Sequence, residues 1–408
     1  MKTWKKIGLG LLFIVIVACI WFYPKYKMLS HVIHLFDEDR IVSNFRSFDA
    51  VWPVSILKAS SQVYKYPKGN KLALPENFNF KETTYTTKNF LKDSWTTGFL
   101  VIQNDSIVFE EYYLGNTEFT RNISWSMAKS FISSLIGIAI EEGHIKNINQ
   151  NVEEYLPELK GSAYEGVRIK DVLQMSTGVG FNEDYGDFNS DINRWGRGFA
   201  LGKSQNEFAA TLDRELEPGT VNHYVSINTH VLGMLITKAT GQTITDYMQE
   251  KLYEPLGMEY DGYWLLDGEN MEMALGGLNL TLRDYAKIGS VYLKNGLFRG
   301  QQIVPEKWVH NSVTPEGSHV QPTEMFGYGY QWWIPKSEVG EFMAIGIYNQ
   351  NIYINPTTNT VIVKLSANPK FNDKTYIPSS NYAALEMYRA IADKYKVIQE
   401  EKVFELIE

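Results

Sequence analysis

Cysteine is almost missing from this chain: Cys19 is the only one in 408 residues, so no disulfide can form within it and the fold must rest on its core. Also absent are a His-Glu-x-x-His pair, a spaced Cys/His set and a phosphate-cradling Gly-x-x-x-x-Gly-Lys, so neither metal nor nucleotide is implied and no cofactor is expected. No Gly-x-Ser-x-Gly elbow occurs, and the seven histidines are scattered. The 39 basic residues are outnumbered by 47 acidic ones and form no patch interleaved with aromatics, which argues against nucleic acid as a partner. What remains is 44% hydrophobic and 14% aromatic, enough for a large core in one big domain or two intimately joined lobes.

The amino terminus departs from that globular composition. Lys2, Lys5 and Lys6 precede an uncharged, largely apolar run of 17 residues from Ile7 to Tyr23, followed by Pro24 and Lys25. Its length is near the lower limit for crossing a bilayer and exceeds most signal-peptide cores, so residues 1–27 are expected to act as a membrane anchor or signal segment. The lysine bias places the rest of the chain outside the cytoplasm, held at the cell membrane by a single N-terminal pass. Ile16-Val17-Ala18-Cys19 looks like a bacterial lipoprotein cleavage box, but the apolar run continues through Ile20-Trp21-Phe22-Tyr23, which favours an uncleaved anchor over lipidation at Cys19.

Residues 28–83 read as a lead-in of unassigned role, either a stalk or a segment packed on the domain. Regular structure becomes clear at Thr97 to Ile102 and Ser106 to Glu110, which read as a hairpin around Asn104-Asp105. Helical patterns follow at 169–175, 230–236 and 243–252. Strands return at 328–333, 351–355 and 361–365, and a helix closes the domain from about Asn381 to Tyr395. Strands at both ends with helices between them predict an α+β fold: an antiparallel sheet assembled from distant segments, flanked by helices, with an inserted mostly helical lobe. The domain is expected over 84–396 and a tail over 397–408.

The chemistry concentrates at Ser126-Met127-Ala128-Lys129-Ser130. Phe131, Leu135, Ile136 and Ile140 recur behind it at the spacing of an amphipathic helix that Gly143 closes. Residues three apart on a helix are neighbours, so the Lys129 amine can lie beside the Ser126 hydroxyl and activate it. A Ser-x-x-Lys match alone is weak, expected about once in a chain this long, and Ser55-Ile56-Leu57-Lys58 is a second one. Ser55 follows Pro53 and has no sustained apolar face behind it, so it is read as structural.

A second chemical element is Pro218-Gly219 leading into Tyr224-Val225-Ser226. With Met175-Ser176-Thr177-Gly178, Gly276-Gly277-Leu278, Tyr328-Gly329-Tyr330 and a strand near Gly346, the ordered set resembles the serine β-lactamase and penicillin-binding superfamily over roughly Thr84 to Tyr395. The class C and esterase-like branch is the nearer likeness, and the esterases and 6-aminohexanoate-dimer hydrolases the nearest. The resemblance implies that Ser126 is acylated, that Lys129 and Tyr224 share the proton work, and that the backbones of Ser126 and Ile347 form an oxyanion hole. A phenol of ordinary pKa about 10 can act near neutrality only if a cation stabilises the phenolate or Lys129 receives its proton. It also implies substrate contacts from Tyr185, Ser226 and Gly346.

The chain departs from β-lactamases and peptidases at the strand that usually carries Lys-Thr-Gly. Ala344-Ile345-Gly346 stands there instead, removing the cation that binds a substrate carboxylate. The expected activity is therefore hydrolysis of a small-molecule ester or amide by a membrane-tethered serine hydrolase. Alternatives are a peptidoglycan D,D-peptidase, a β-lactamase-like enzyme, or a covalent ligand-binding sensor on the same fold. Glu183 and Asp184 could attract a cationic substrate end, but read more simply as solvated loop carboxylates. His223, adjacent to Tyr224, is read as structural because alternation points the two side chains apart.

Overall fold

The computed structural model of the chain describes residues 2–405. Seven antiparallel strands form the main sheet in the order Gly327–Tyr328, Trp333–Ile334, Phe342–Gly346, Gln350–Asn355, Thr360–Ser366, Thr96–Gln103, Ser106–Tyr112. The chain's first long strand thus pairs with its last, as the split arrangement of strand patterns predicts. Asn104 and Asp105 both have positive φ, 47° and 61°, the left-handed pair that a tight two-residue hairpin needs. The segment expected as one strand over 328–333 is instead two short strands, broken where Gln331 turns with φ 64°.

Alternation along the strands sorts the core. Leu100, Ile102, Val361 and Val363 face helix Leu282–Leu293 and the helical lobe, while Phe99, Val101, Ile362 and Tyr353 face the closing helix Asn381–Glu405. Each such aliphatic or aromatic side chain, once fully buried, contributes about 1.5–3 kcal/mol. Gly289 lets helix Leu282–Leu293 approach closely, since a Cβ there would meet Val361 at 2.6 Å. The closing helix carries on through the stretch expected as a tail, and 406–408 lie outside the described residues.

Helix Ala128–Glu141 is buried on nearly every side rather than amphipathic, because it runs through the middle of the helical lobe against helix Ser226–Thr240. Gly137 lets Trp308 close over it; a Cβ would lie 2.3 Å from the indole. It ends at Gly143, φ 79°, as the sequence indicates.

Residues 28–83 are part of the fold. Leu35, Ile41, Phe45, Phe48, Trp52 and Leu57 are buried in the main core, and Val54–Leu57 forms the edge of a second antiparallel sheet. Its order is Val54–Leu57, Gly262–Leu265, Leu278–Leu280, Asn122–Ile123. Ser55 pairs with Trp264 in that edge strand, so Lys58 is not one helical turn away from it; the Lys58 amine instead meets Asp261 at 2.9 Å.

Residues Lys2–Ile33 form one helix. Among the described residues no helix is long and apolar enough to cross a membrane, so the expected spanning anchor is not supported. The apolar run of 17 residues falls short of the about 20 that a bilayer core needs, and Lys25 and Lys27 follow within the same helix.

Candidate active site

Strand Asn122–Ile123 delivers the chain to a single tight turn, Trp125–Met127, from which helix Ala128–Glu141 departs. Trp125 adopts φ 45°, a conformation that costs a non-glycine residue about 1–3 kcal/mol and re-aims the residue that follows. The turn is held from outside: the Ser124 N–H donates to the Leu278 carbonyl at 2.7 Å, and the Ser124 hydroxyl reaches the Gly276 carbonyl at 3.3 Å. Here the Gly276-Gly277-Leu278 element earns its place, since a Cβ on Gly277 would sit 2.6 Å from that of Met273.

Lys129 follows one turn after Ser126 and is almost wholly buried, 1% exposed. Its amine donates to the Leu275 carbonyl at 2.8 Å and lies 5.6 Å from the centre of the Tyr224 ring. Burial pulls its pKa down to about 7, against a smaller upward pull from Glu183. Near neutrality, therefore, a large fraction of Lys129 is the free amine, a base with no counter-ion in contact among the described residues.

Tyr224 arrives on an extended segment clamped by the Met175-Ser176-Thr177-Gly178 element. The Gly219 N–H donates to the Ser176 carbonyl at 2.7 Å, the His223 N–H to the Met175 carbonyl at 2.8 Å and the Glu215 N–H to the Gly178 carbonyl at 2.8 Å. Gly178 has φ 72°, and a Cβ there would meet the Leu216 carbonyl at 2.0 Å, so only glycine permits the clamp. The ring stacks on Trp333, centroids 5.2 Å apart, and its hydroxyl lies near the hydroxyls of Ser126 and Ser226. Burial and the Glu183 carboxylate push its pKa well above the usual 10, outweighing those two serines. Tyr224 is thus a phenol at neutral pH, not a standing phenolate. His223 turns away, its ring nitrogen 3.1 Å from the Phe181 carbonyl.

Strand Phe342–Gly346 ends against the Ser126 turn. Gly346 is extended, φ −117°, so its need is for space: a Cβ would lie 2.6 Å from the Ser124 carbonyl oxygen and 3.2 Å from the Ser126 nitrogen. Ile347 follows and shares the wall of one cavity with Ser126, Tyr185 and Ser226. Tyr348 and Asn349 then turn the chain back with φ 62° and 66°.

Glu183 is the residue whose part the sequence hides. It accepts from the Ser226 N–H at 3.0 Å, from the Ser226 hydroxyl and from the Tyr185 hydroxyl at 2.9 Å. Burial raises its pKa, against the lowering influence of Lys129 and those donors. The reading of Glu183 as a free solvated carboxylate is thereby corrected, and Tyr185 and Ser226 spend their hydroxyls on it. Asp184 stays exposed and accepts from the Gly186 N–H at 2.8 Å, bending its own loop. Nothing in local periodicity marks Glu183, because Ser226 lies 43 residues away.

The cavity beside Ser126 measures about 640 Å³. Its walls come from residues 185–200, from Leu275, Gly276, Tyr348 and Phe371, and from Val32, Leu35, Phe36, Phe48 and Trp52 of the lead-in. Sequence reasoning gave that lead-in no chemistry; the spacing of Phe45, Phe48 and Trp52, three and four apart, is the signal of a buried face that it carried. Among the described residues no cluster of three or more His, Cys, Asp or Glu could hold a metal ion.

The family model described as Beta-lactamase matches residues 90–377. A 6-aminohexanoate-dimer hydrolase from Paenarthrobacter ureafaciens is 30% identical over 315 residues, covering 74% of this chain and 80% of that protein. Among solved structures, a Bacillus anthracis protein provisionally described as a 6-aminohexanoate-dimer hydrolase superposes with TM-score 0.78 at 22% identity, over 90% of this chain and 96% of the other. EstCE1, a hydrolase with promiscuous acyltransferase activity, gives TM-score 0.59 at 14% identity over 75% and 96%; these two show the shared fold. The chain belongs to the beta-lactamase family, as a serine hydrolase acting on amide or ester bonds.

Proposed function

We propose that this protein hydrolyses a small-molecule ester or amide through an acyl-serine intermediate on Ser126. The observation that carries the reading is a buried Lys129, one turn after Ser126 and 5.6 Å from the Tyr224 ring, whose amine burial drives toward its neutral form. The Ser126 proton moves to Tyr224 as the Tyr224 proton moves to Lys129, and Oγ attacks the carbonyl carbon. The N–H groups of Ser126 and Ile347 stabilise the oxyanion, with Gly346 keeping the strand close enough for both. The relay then returns a proton to the leaving amine or alkoxide. Water, deprotonated along the same path, releases the acid and restores Ser126. Ala344-Ile345-Gly346 offers no cation to a substrate carboxylate, which supports this reading over a peptidase of D-alanyl stems. A fluorophosphonate probe followed by mass mapping tests it: label on Ser126 and none on Ser55 is expected, and label elsewhere with Ser126 unmodified would refute it.

Because the base is the neutral amine, kcat/KM should rise with pH through about 7. Glu183 pulls that pKa upward, so Glu183→Gln, which keeps an acceptor for Ser226 and Tyr185, is expected to move the rising limb to lower pH. A limb that stays in place in Glu183→Gln would show that the carboxylate only ties its loop down.

A further inference from the structure

Resting on the ester or amide reading above, we propose that the cavity beside Ser126 is an acyl subsite for a long, uncharged alkyl or aryl chain, with residues 32–52 and helix Asp191–Ala200 as its selective walls. The cavity's size suits a ligand of several carbons beyond the scissile carbonyl, and its surface is chiefly aliphatic and aromatic. Phe36 stacks on Tyr348 with centroids 5.2 Å apart and planes 11° from parallel, and Trp52 stacks on Phe199 across the same space. Among the described residues no carboxylate lines it. Glu183, half-buried beside Tyr185, is already the acceptor for Ser226 and Tyr185, and Asp184 lies exposed on the loop outside, so an ammonium drawn in along these walls would meet no carboxylate among the residues that line them. Among the described residues the charged liner is Arg197, whose guanidinium is held over the Phe188 ring, 3.9 Å from its centre, and donates to the Phe188 carbonyl at 2.6 Å.

Water released from such walls favours each added methylene by about threefold to fourfold in affinity. Charge at the chain end forfeits that gain, because desolvating an unpaired ion costs more than one methylene returns. The wall from the lead-in is the part that the family's shared chemistry does not require, and it decides how deep a chain can go.

The test uses the full chain carrying Ser126→Ala and follows tryptophan fluorescence, since Trp52, Trp125 and Trp195 line the cavity. N-ethyloctanamide should bind at least about thirtyfold more tightly than N-ethylacetamide, and N-ethyl-8-aminooctanamide should lose most of that advantage. Two added substitutions should each cut the octanamide-to-acetamide ratio about fivefold or more: Phe36→Ala, which strips a wall from a half-exposed ring, and Gly196→Leu, whose new Cβ meets nothing within 4 Å and so leaves the side chain free to fill the cavity. Equal affinity for the two amides, an ω-amino ligand as tight as octanamide, or a ratio that neither substitution moves would overturn the proposal. Ester turnover persisting in Ser126→Ala would instead sink the acyl-serine reading, while the binding ratios still judge the subsite.

Discussion

Ser126→Ala is expected to lower kcat/KM for an activated ester by about 10⁵-fold or more while moving Tm by no more than about 2 °C. The large loss follows because the oxygen that forms the covalent bond is gone and no neighbouring nucleophile shares its position. The small change in stability follows from the local structure. Ser126 is partly exposed, its backbone turn is fixed through Ser124 rather than through its own hydroxyl, and the freed Tyr224 hydroxyl keeps Ser226 as a neighbour. Parallel rate and melting measurements decide it; a variant that melts far earlier would mean that the hydroxyl braces the turn. Ser55→Ala in its edge strand provides the contrast and should keep full activity.

Lys129→Met should remove the proton acceptor and lower kcat/KM by about 10³-fold to 10⁴-fold, yet make the protein more stable at pH 7. The folded pKa, about 7, is depressed below the ordinary 10.5 of a lysine in the unfolded chain. Between those values the unfolded chain holds a proton that the folded one gives up, so the lysine costs about 4 kcal/mol at pH 7. Losing the bond to the Leu275 carbonyl returns about 2 kcal/mol of that, leaving methionine ahead by roughly 2 kcal/mol. The sign has a signature: wild-type stability rises with pH from about 7 to 10.5 at this site, so the advantage of methionine shrinks over that window and is lost above it. Urea midpoints at pH 7 and pH 10.5 check it, and an equal gap at both would place the amine's cost elsewhere.

Much of the main sheet, and the meeting of Ser126, Lys129 and Tyr224 in one place, was legible because their signals are local. Asn104-Asp105 between two apolar runs specifies a hairpin by turn geometry alone, and Ser126-x-x-Lys129 before an apolar helix specifies a turn of separation. The ordered motifs pointed to Tyr224, and the clamp from Met175 to Gly178 explains how that element, upstream in the chain, holds the segment that carries it. What stayed hidden depends on pairs far apart in sequence. The strand Val54–Leu57 has meaning only beside Gly262–Leu265, some two hundred residues on. Glu183 reads as a surface acid until Ser226 and Tyr185 fold over it. The helix Ala128–Glu141 looked one-sided because Ser130, Ser133 and Ser134 are polar by type; Ser130 and Ser134 bury their hydroxyls against the Gln331 and Ser130 carbonyls.

The family model matches from residue 90 onward, after the strand Val54–Leu57 that seals one margin of the smaller sheet. A chain trimmed to that region would retain Ser126, Lys129 and Tyr224 but leave the row of amides and carbonyls along Gly262–Leu265 without its neighbour. Such an open ladder recruits strands from other molecules, so the trimmed enzyme would tend to self-associate through the very seam that its own leading segment keeps closed.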